Sequence, residues 1–197
     1  AGTAGAYHPF WSPDGQFIAF FAPGELRKLN LATGTIHRIC AVPGPRVGGA
    51  DWRSDGTVIF SAGAERPDTV YTVAATGGEP QPATPVAPSG GGFLVQARFL
   101  EDGQHFTVLA IGQGDAPPGV YAASLAAPDE RRLVLDGITH LEHAGGQAFY
   151  VQGTTLLAQP FEPERAALGG APVAIASSVG VWSQNPGIGW FGVSPGG

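Results

Sequence analysis

The sequence predicts an all-β protein made of a repeated unit of about forty residues, and three observations carry that reading. Helix-period patterns are nearly absent, and only ERAAL (164–168) has the makings of a helical turn. Short runs rich in β-branched and aromatic residues are everywhere, each bounded by Gly, Pro, Asp or Asn. One turn also recurs, as FWSPDG (10–15), DWRSDG (51–56) and RFLEDG (98–103). Its aspartates, Asp14, Asp55 and Asp102, are spaced by 41 and then 47 residues. Four apolar runs fit between successive turns, which is the period of a β-propeller of four-stranded antiparallel blades.

The units follow one another in a regular order. In the first, an inner strand ends at Trp11, then QFIAFFA (16–22), ELRKLNL (25–31) and a more polar fourth strand follow. The second has its inner strand ending at Trp52, then TVIFSA (57–62) and TVYTVAA (69–75). The third passes from Phe99 to HFTVLAI (105–111), GVYAASL (119–125) and RRLVL (131–135). A degenerate turn, AGGQ (144–147), opens QAFYVQ (147–152) and TLLAQPF (155–161) in the fourth. GWFGVSPGG (189–197) begins a fifth. The expected blades are 6–42, 47–86, 91–137 and 138–178, with an incomplete fifth at 179–197, so about four and a fraction blades form one partial propeller domain.

The repeated turn has a physical reason. Ser12 can bond backbone amides at the turn entrance, Pro13 presets φ, Asp14 forms its own turn bond, and Gly15 supplies positive φ. Ser54, Asp55 and Gly56 fill this corner in the second unit, and Asp102 and Gly103 fill it in the third. Such a turn suits a tight hairpin with a bulge at its exit. The aromatic before it (Trp11, Trp52 or Phe99) is expected to wedge between neighbouring blades, where a large ring buries most area. A second corner recurs in NLATGTIHRI (30–39) and VAATGGEPQP (73–82), with SLAAPDERRL (124–133) in the same slot.

Composition excludes some partners. Gly (31) and Pro (18) make up about a quarter of the chain, but they cluster between apolar runs and mark turns, not disorder. A net charge of −6 without a Lys/Arg stripe argues against nucleic acid and against an anionic membrane surface. The apolar runs fall far short of a membrane span, so no direct membrane insertion is expected. Cys40, alone in the chain, reads as a small buried apolar residue; His37 upstream falls on the opposite face of a strand.

Motifs that suggest chemistry read as architecture. GVSPG (192–196) matches a nucleophile elbow, but no strand–helix alternation surrounds it, and it reads as the next corner. His140 and His143 in HLEH point to opposite faces of a strand and are poor co-ligands for a metal. His8, His37 and His105 stand apart. One Asp per corner is too few oxygens for calcium. PSGGGF (88–93) lacks the lysine and helix of a phosphate cradle and reads as a blade-to-blade loop. DERR (129–132) and EPER (162–165) read as solvated edges; Trp182 and Trp190 read as packing against the next blade, with the lining of a binding surface as the alternative. No catalytic, cofactor-binding or metal residue is therefore assigned.

With those residues in place, PFWSPDGQFIAFF (9–21) followed by ELRKLNLATG (25–34) resembles the TolB-like, WD-repeat-like β-propeller repeat. More specifically, it resembles the propeller that follows the kinase domain in many bacterial membrane serine/threonine kinases, and that follows a winged-helix DNA-binding domain in related regulators. GTAGAYHPFW (2–11), TVYTVAATGGEPQPAT (69–84), LEDGQHFTVLA (100–110) and TTLLAQPFEPERAALGGAPVAIA (154–176) extend the likeness over nearly the whole chain. The resemblance implies a fragment of a roughly six-bladed propeller, whose edges are completed by missing blades or another chain. It also implies a non-catalytic sensor or interaction domain of a larger regulatory protein, placed outside the cytoplasmic membrane, with a protein, peptide or small-molecule partner of unknown identity. Two alternatives are a propeller gating a prolyl-oligopeptidase-like hydrolase and a stand-alone scaffold or lectin-like protein.

Overall fold

The computed structural model describes residues 2–84, 92–112, 117–127, 130–182 and 185–193. The first blade is β1 (Tyr7–Trp11), β2 (Phe17–Ala22), β3 (Glu25–Asn30) and β4 (Ile36–Ala41). The second is β5 (Arg46–Trp52), β6 (Thr57–Gly63), β7 (Thr69–Ala74) and β8 (Gln81–Thr84). The third is β9 (Phe93–Phe99), β10 (His105–Ile111), β11 (Gly119–Ser124) and β12 (Arg132–Asp136). The fourth holds β13 (Leu141–Ala144), β14 (Gln147–Gln152) and β15 (Thr155–Glu162), the last paired with both β16 (Ala167–Leu168) and β17 (Val173–Ala176). A hairpin of β18 (Val181–Trp182) and β19 (Asn185–Gly189) follows. Within each of the first three sheets the strands pair in chain order, every pair antiparallel. The protein is thus all-β, made of four-stranded propeller blades, and among the described residues the one short helical segment is a 3-10 turn at Pro163–Arg165. That turn begins one residue before the ERAAL run and ends at its second residue, with Ala166 in the left-handed region at its close.

Three apolar clusters hold the blades face to face. Phe21 and Leu26 of the first blade pack with Phe60 and Val58 of the second. Ile59 and Val70 of the second meet Leu94, Phe106 and Val108 of the third. Leu109 and Val120 of the third meet Ala148 and Phe161 of the fourth. The middle strands β2, β6 and β10 therefore bury both faces, and they read as continuous apolar runs instead of alternating ones.

The corners repeat at the level of single hydrogen bonds. Gly15, Gly56 and Gly103 donate their amides to Ser12, Arg53 and Leu100 carbonyls at 2.9, 3.0 and 3.0 Å. Each turn carboxylate accepts the amide two residues ahead: Asp14 from Gln16, Asp55 from Thr57, Asp102 from Gln104. Ser12 is buried, its Oγ accepting the Phe17 amide at 2.8 Å and donating to Asp14 at 2.6 Å, while Pro13 lies exposed at the turn. Ser54 is exposed and takes the place of Pro13, not of Ser12. Hydrogen bonds hold the carboxyls of Asp14 (from Ser12) and Asp55 (from Arg53) below the ordinary carboxylate range. At Asp102 partial burial pushes the other way, and the bonds from His105 outweigh it. A bond from the end of the third strand back to the corner marks all four blades: Leu31 to Gln16, Ala75 to Gly56, Leu125 to Gln104, Phe161 to Gly146. The fourth corner keeps this bond without an aspartate.

Gly15 and Gly56 have φ of +66° and +88°, and a Cβ at either would meet nothing within 4 Å. The penalty for a side chain there is conformational alone. Gly15→Val and Gly56→Val are each expected to cost about 1–2 kcal/mol. Urea melts check this; two silent melts would contradict the corner geometry.

The corner aromatics do not share one environment. Trp52 packs back on the first blade, with ring centroids 6.5 Å from Phe10 and 6.1 Å from Phe17. Lys28 reaches over the same Phe17 and Trp52 rings and donates to the Ala75 carbonyl at 2.8 Å. Phe99 is 5% exposed and lies under the Arg53 guanidinium of the second blade. Trp11, expected as a wedge, is 62% exposed. The reason is directional: each such ring covers the blade before its own, and no blade precedes β1 among the described residues. Trp190 is likewise exposed, not packed. Cys40 is buried in the first cluster, and burial pushes its thiol up to about 11. Ser194, Pro195 and Gly196 of the GVSPG corner, most of PSGGGF, and Asp129 of DERR lie outside the described residues. In EPER, Glu162 and Arg165 form an exposed ion pair at 3.3 Å.

Candidate binding site

The inner strands β1, β5 and β9 each carry an irregularity at the same height. Register slips between Tyr7 and Phe10, between Val47 and Ala50, and between Val95 and Arg98 opposite Leu109 and Thr107. At these bulges His8, Gly49 and Gln96 have positive φ, of 48°, 113° and 57°. His8 and Gln96 are not glycines, so that backbone is strained, and strain of this kind collects at functional sites. The second strand tolerates its bulge through a Gly48–Gly49 pair. A Cβ on Gly48 would stand 2.5 Å from the Leu94 carbonyl, so glycine lets β5 and β9 approach closely.

The bulges line one side of a cavity of about 780 Å³. Its walls come from Tyr7–Phe10 of the first blade, Arg46–Ala50 of the second, and Phe93, Val95, Gln96, Arg98 and Ile111 of the third. Trp182 and Ile188 of the last hairpin face them, with Pro45 and Pro67 at the rim. Tyr7, Phe93 and Trp182 stay 36%, 45% and 43% exposed, an unusual amount of free aromatic surface around one opening. The size is that of a small-molecule or peptide-end site.

Beneath the cavity runs a half-buried charge network that joins three blades. Arg98 donates Nη1 to the Ala50 carbonyl and Nε and Nη2 to Glu142 Oε1, at 3.3 and 3.1 Å. Asp51 accepts the Phe99 amide at 2.9 Å and the Trp52 amide at 2.9 Å. Glu142 Oε1 also accepts from His140 Nε2 at 2.7 Å, while His140 Nδ1 faces the Gly189 carbonyl at 3.2 Å. Burial alone would raise the Glu142 carboxyl, but the His140 bond and the Arg98 and His140 charges hold it at about 2. Burial opposes the charge on Arg98, and the Glu142 and Asp51 carboxylates outweigh it, so its pKa is raised. Burial, then the Arg98 charge, lower that of His8.

The corner residues Trp11, Ser12, Pro13, Asp14, Gly15, Trp52, Ser54, Asp55, Gly56, Phe99, Asp102 and Gly103 lie outside this cavity's lining. His140 and His143 diverge: His143 Nε2 bonds the Phe99 carbonyl at 2.8 Å. Among the described residues no group of three or more metal-type side chains converges. Trp182 takes the alternative reading and lines the cavity. The bulged positions were missed in the sequence, where Gly48–Gly49 inside a strand was the signal for them.

No protein-family model matches the chain, and no curated protein matches it. Solved structures do. TolB from Acinetobacter baumannii superposes with a TM-score of 0.63 at 15% identity, over 88% of this chain and 44% of that one. The chain folds as a TolB-like β-propeller. A β-propeller domain from Myceliophteria thermophila matches at TM-score 0.61 and 10% identity, over 88% of this propeller and 56% of that chain. A prolyl endopeptidase matches at 0.58 and 15%, over 88% of this propeller and 29% of that chain. The propeller thus spans less than half the length of the Acinetobacter baumannii TolB.

Proposed function

We propose that this propeller is a non-catalytic binding domain whose ligand enters the axial cavity between the inner strands. The cavity carries the reading: three inner strands are bulged at one height, two of them with strained non-glycine residues turned to the same space. Strain maintained around an open cavity is what a pre-organised site requires. The propeller likeness supports a binding or interaction domain in general terms. The finer reading is the sensor or interaction domain of a larger bacterial regulatory protein, kinase-associated and outside the cytoplasmic membrane. It rests on the ordered likeness of the blades from PFWSPDGQFIAFF onward. No helix among the described residues is long and apolar enough to cross a membrane. Gating of a hydrolase is the second reading, favoured by the likeness to a prolyl endopeptidase.

Two measurements test this. Saturation-transfer NMR with a mixed library of peptides and small molecules should find binders that vanish in Val95→Trp, which fills the cavity. Binders indifferent to that change would overturn the axial site. The intact mass and peptide map of the natural gene product decide the context. Kinase peptides support the regulatory reading, and an α/β hydrolase domain replaces it with gating.

A further inference from the structure

We infer that the axial cavity takes a carboxylate joined to an aromatic or branched apolar body, with Arg46 as the residue that receives the carboxylate. The inference rests on the axial binding site proposed above and adds the chemistry of its occupant. The chain carries a net charge of −6, yet among the described residues that line the cavity there is no Asp or Glu. The lining has instead two arginines, a histidine and a glutamine. Their states differ. The Arg98 guanidinium is committed to Glu142 and the Ala50 carbonyl, so it presents little free charge. Arg46 begins β5 at the rim, is exposed, and has no hydrogen bond or ion pair among the described residues.

The rest of the wall suits the other half of such a molecule. Phe93, Trp182 and Tyr7 offer exposed rings, and Val95, Ile111 and Ile188 give a branched apolar floor. Aromatic walls hold an apolar body but do not choose its charge. An unpaired guanidinium does choose: its planar fork matches a carboxylate in two parallel bonds, and it repels a cation. Among the described lining residues a cationic ligand would find no carboxylate to meet it, and a neutral one would leave Arg46 unused.

Three probes with one body separate the possibilities: indole-3-propionate, its amide, and tryptamine, titrated calorimetrically at low and moderate salt. The acid should bind at least about tenfold tighter than the amide, and tryptamine weakest. Arg46→Gln should erase the acid's advantage and leave the amide unchanged, with the melting temperature of the parent since the side chain is exposed. Added salt should weaken the acid alone. A peptide ending in a free tryptophan carboxylate, set against its amidated form, tells a chain terminus from a small free acid. Equal or tighter binding of the amide or amine overturns the carboxylate but keeps the axial site, provided Val95→Trp abolishes it. An acid affinity unchanged in Arg46→Gln also overturns it. If no probe binds, or binding survives Val95→Trp, the axial site itself falls and this inference with it.

Discussion

Glu142→Ala should destabilise the propeller by about 3–5 kcal/mol, because it strands the Arg98 guanidinium without its main counter-charge. Glu142 and Arg98 side chains are 16% and 25% exposed and meet at 3.1 Å. Asp51 cannot replace the lost partner at no cost, since its two oxygens already hold the Trp52 and Phe99 amides. The cost arises from breaking the pair, not from the pair's net worth. Arg98→Met combined with Glu142→Leu should therefore recover most of it, as buried pairs replaced by apolar residues often do. Urea melts of the single and double variants make the comparison. A single variant costing under about 1 kcal/mol would show that water already reaches the pair. The same carboxylate sets a pH window. Its pKa is held at about 2, against an ordinary 4.5, so the folded state binds its proton more weakly than the unfolded state does. Its contribution is complete above about pH 4.5 and drains as pH falls toward 2. In Glu142→Gln the melting midpoint should lose part of that slope between pH 5 and 2.

The repeat was legible because a corner is a local problem. Gly15, Gly56 and Gly103 need positive φ, the aspartates need only reach an amide two residues on, and both demands are met within six residues of chain. The fold followed from the spacing of those corners. The candidate site was not legible for the opposite reason. Arg98, Asp51 and Glu142 come from three blades, 44 to 48 residues apart along the bonds that join them, and nothing local to any of them marks the network. His8 and Gln96 carry strain that their residue types would not suggest. Gln159 lies between these cases. It stood inside the TLLAQPF strand as one more polar residue. In the structure it is buried, accepts from Tyr150 at 2.7 Å and donates to the Gly170 carbonyl at 3.0 Å, tying down the long loop after β15.

Phe60→Ala should cost about 3–5 kcal/mol, whereas Trp11→Ala should cost no more than about 0.5 kcal/mol. Both are aromatic strand residues, and the corner motif singles out only Trp11. Burial reverses that order. Phe60 is fully buried in the middle strand of the second blade, stacked on Tyr71 at 5.6 Å and set against Phe21 of the first blade at 5.8 Å. Its removal opens a void at the contact between two blades, where neither sheet can collapse without disturbing its own ladder. Trp11 loses little on truncation because most of its ring already faces water. Chemical melts at two protein concentrations read both effects. If Trp11→Ala proves costly only at the higher concentration, its ring is covered by a second copy. If it is costly at both, the ring packs within the chain and the stated exposure of β1 is wrong. A small effect for Phe60→Ala would mean that the blades do not share a core, and the face-to-face packing that defines this architecture would have to be abandoned.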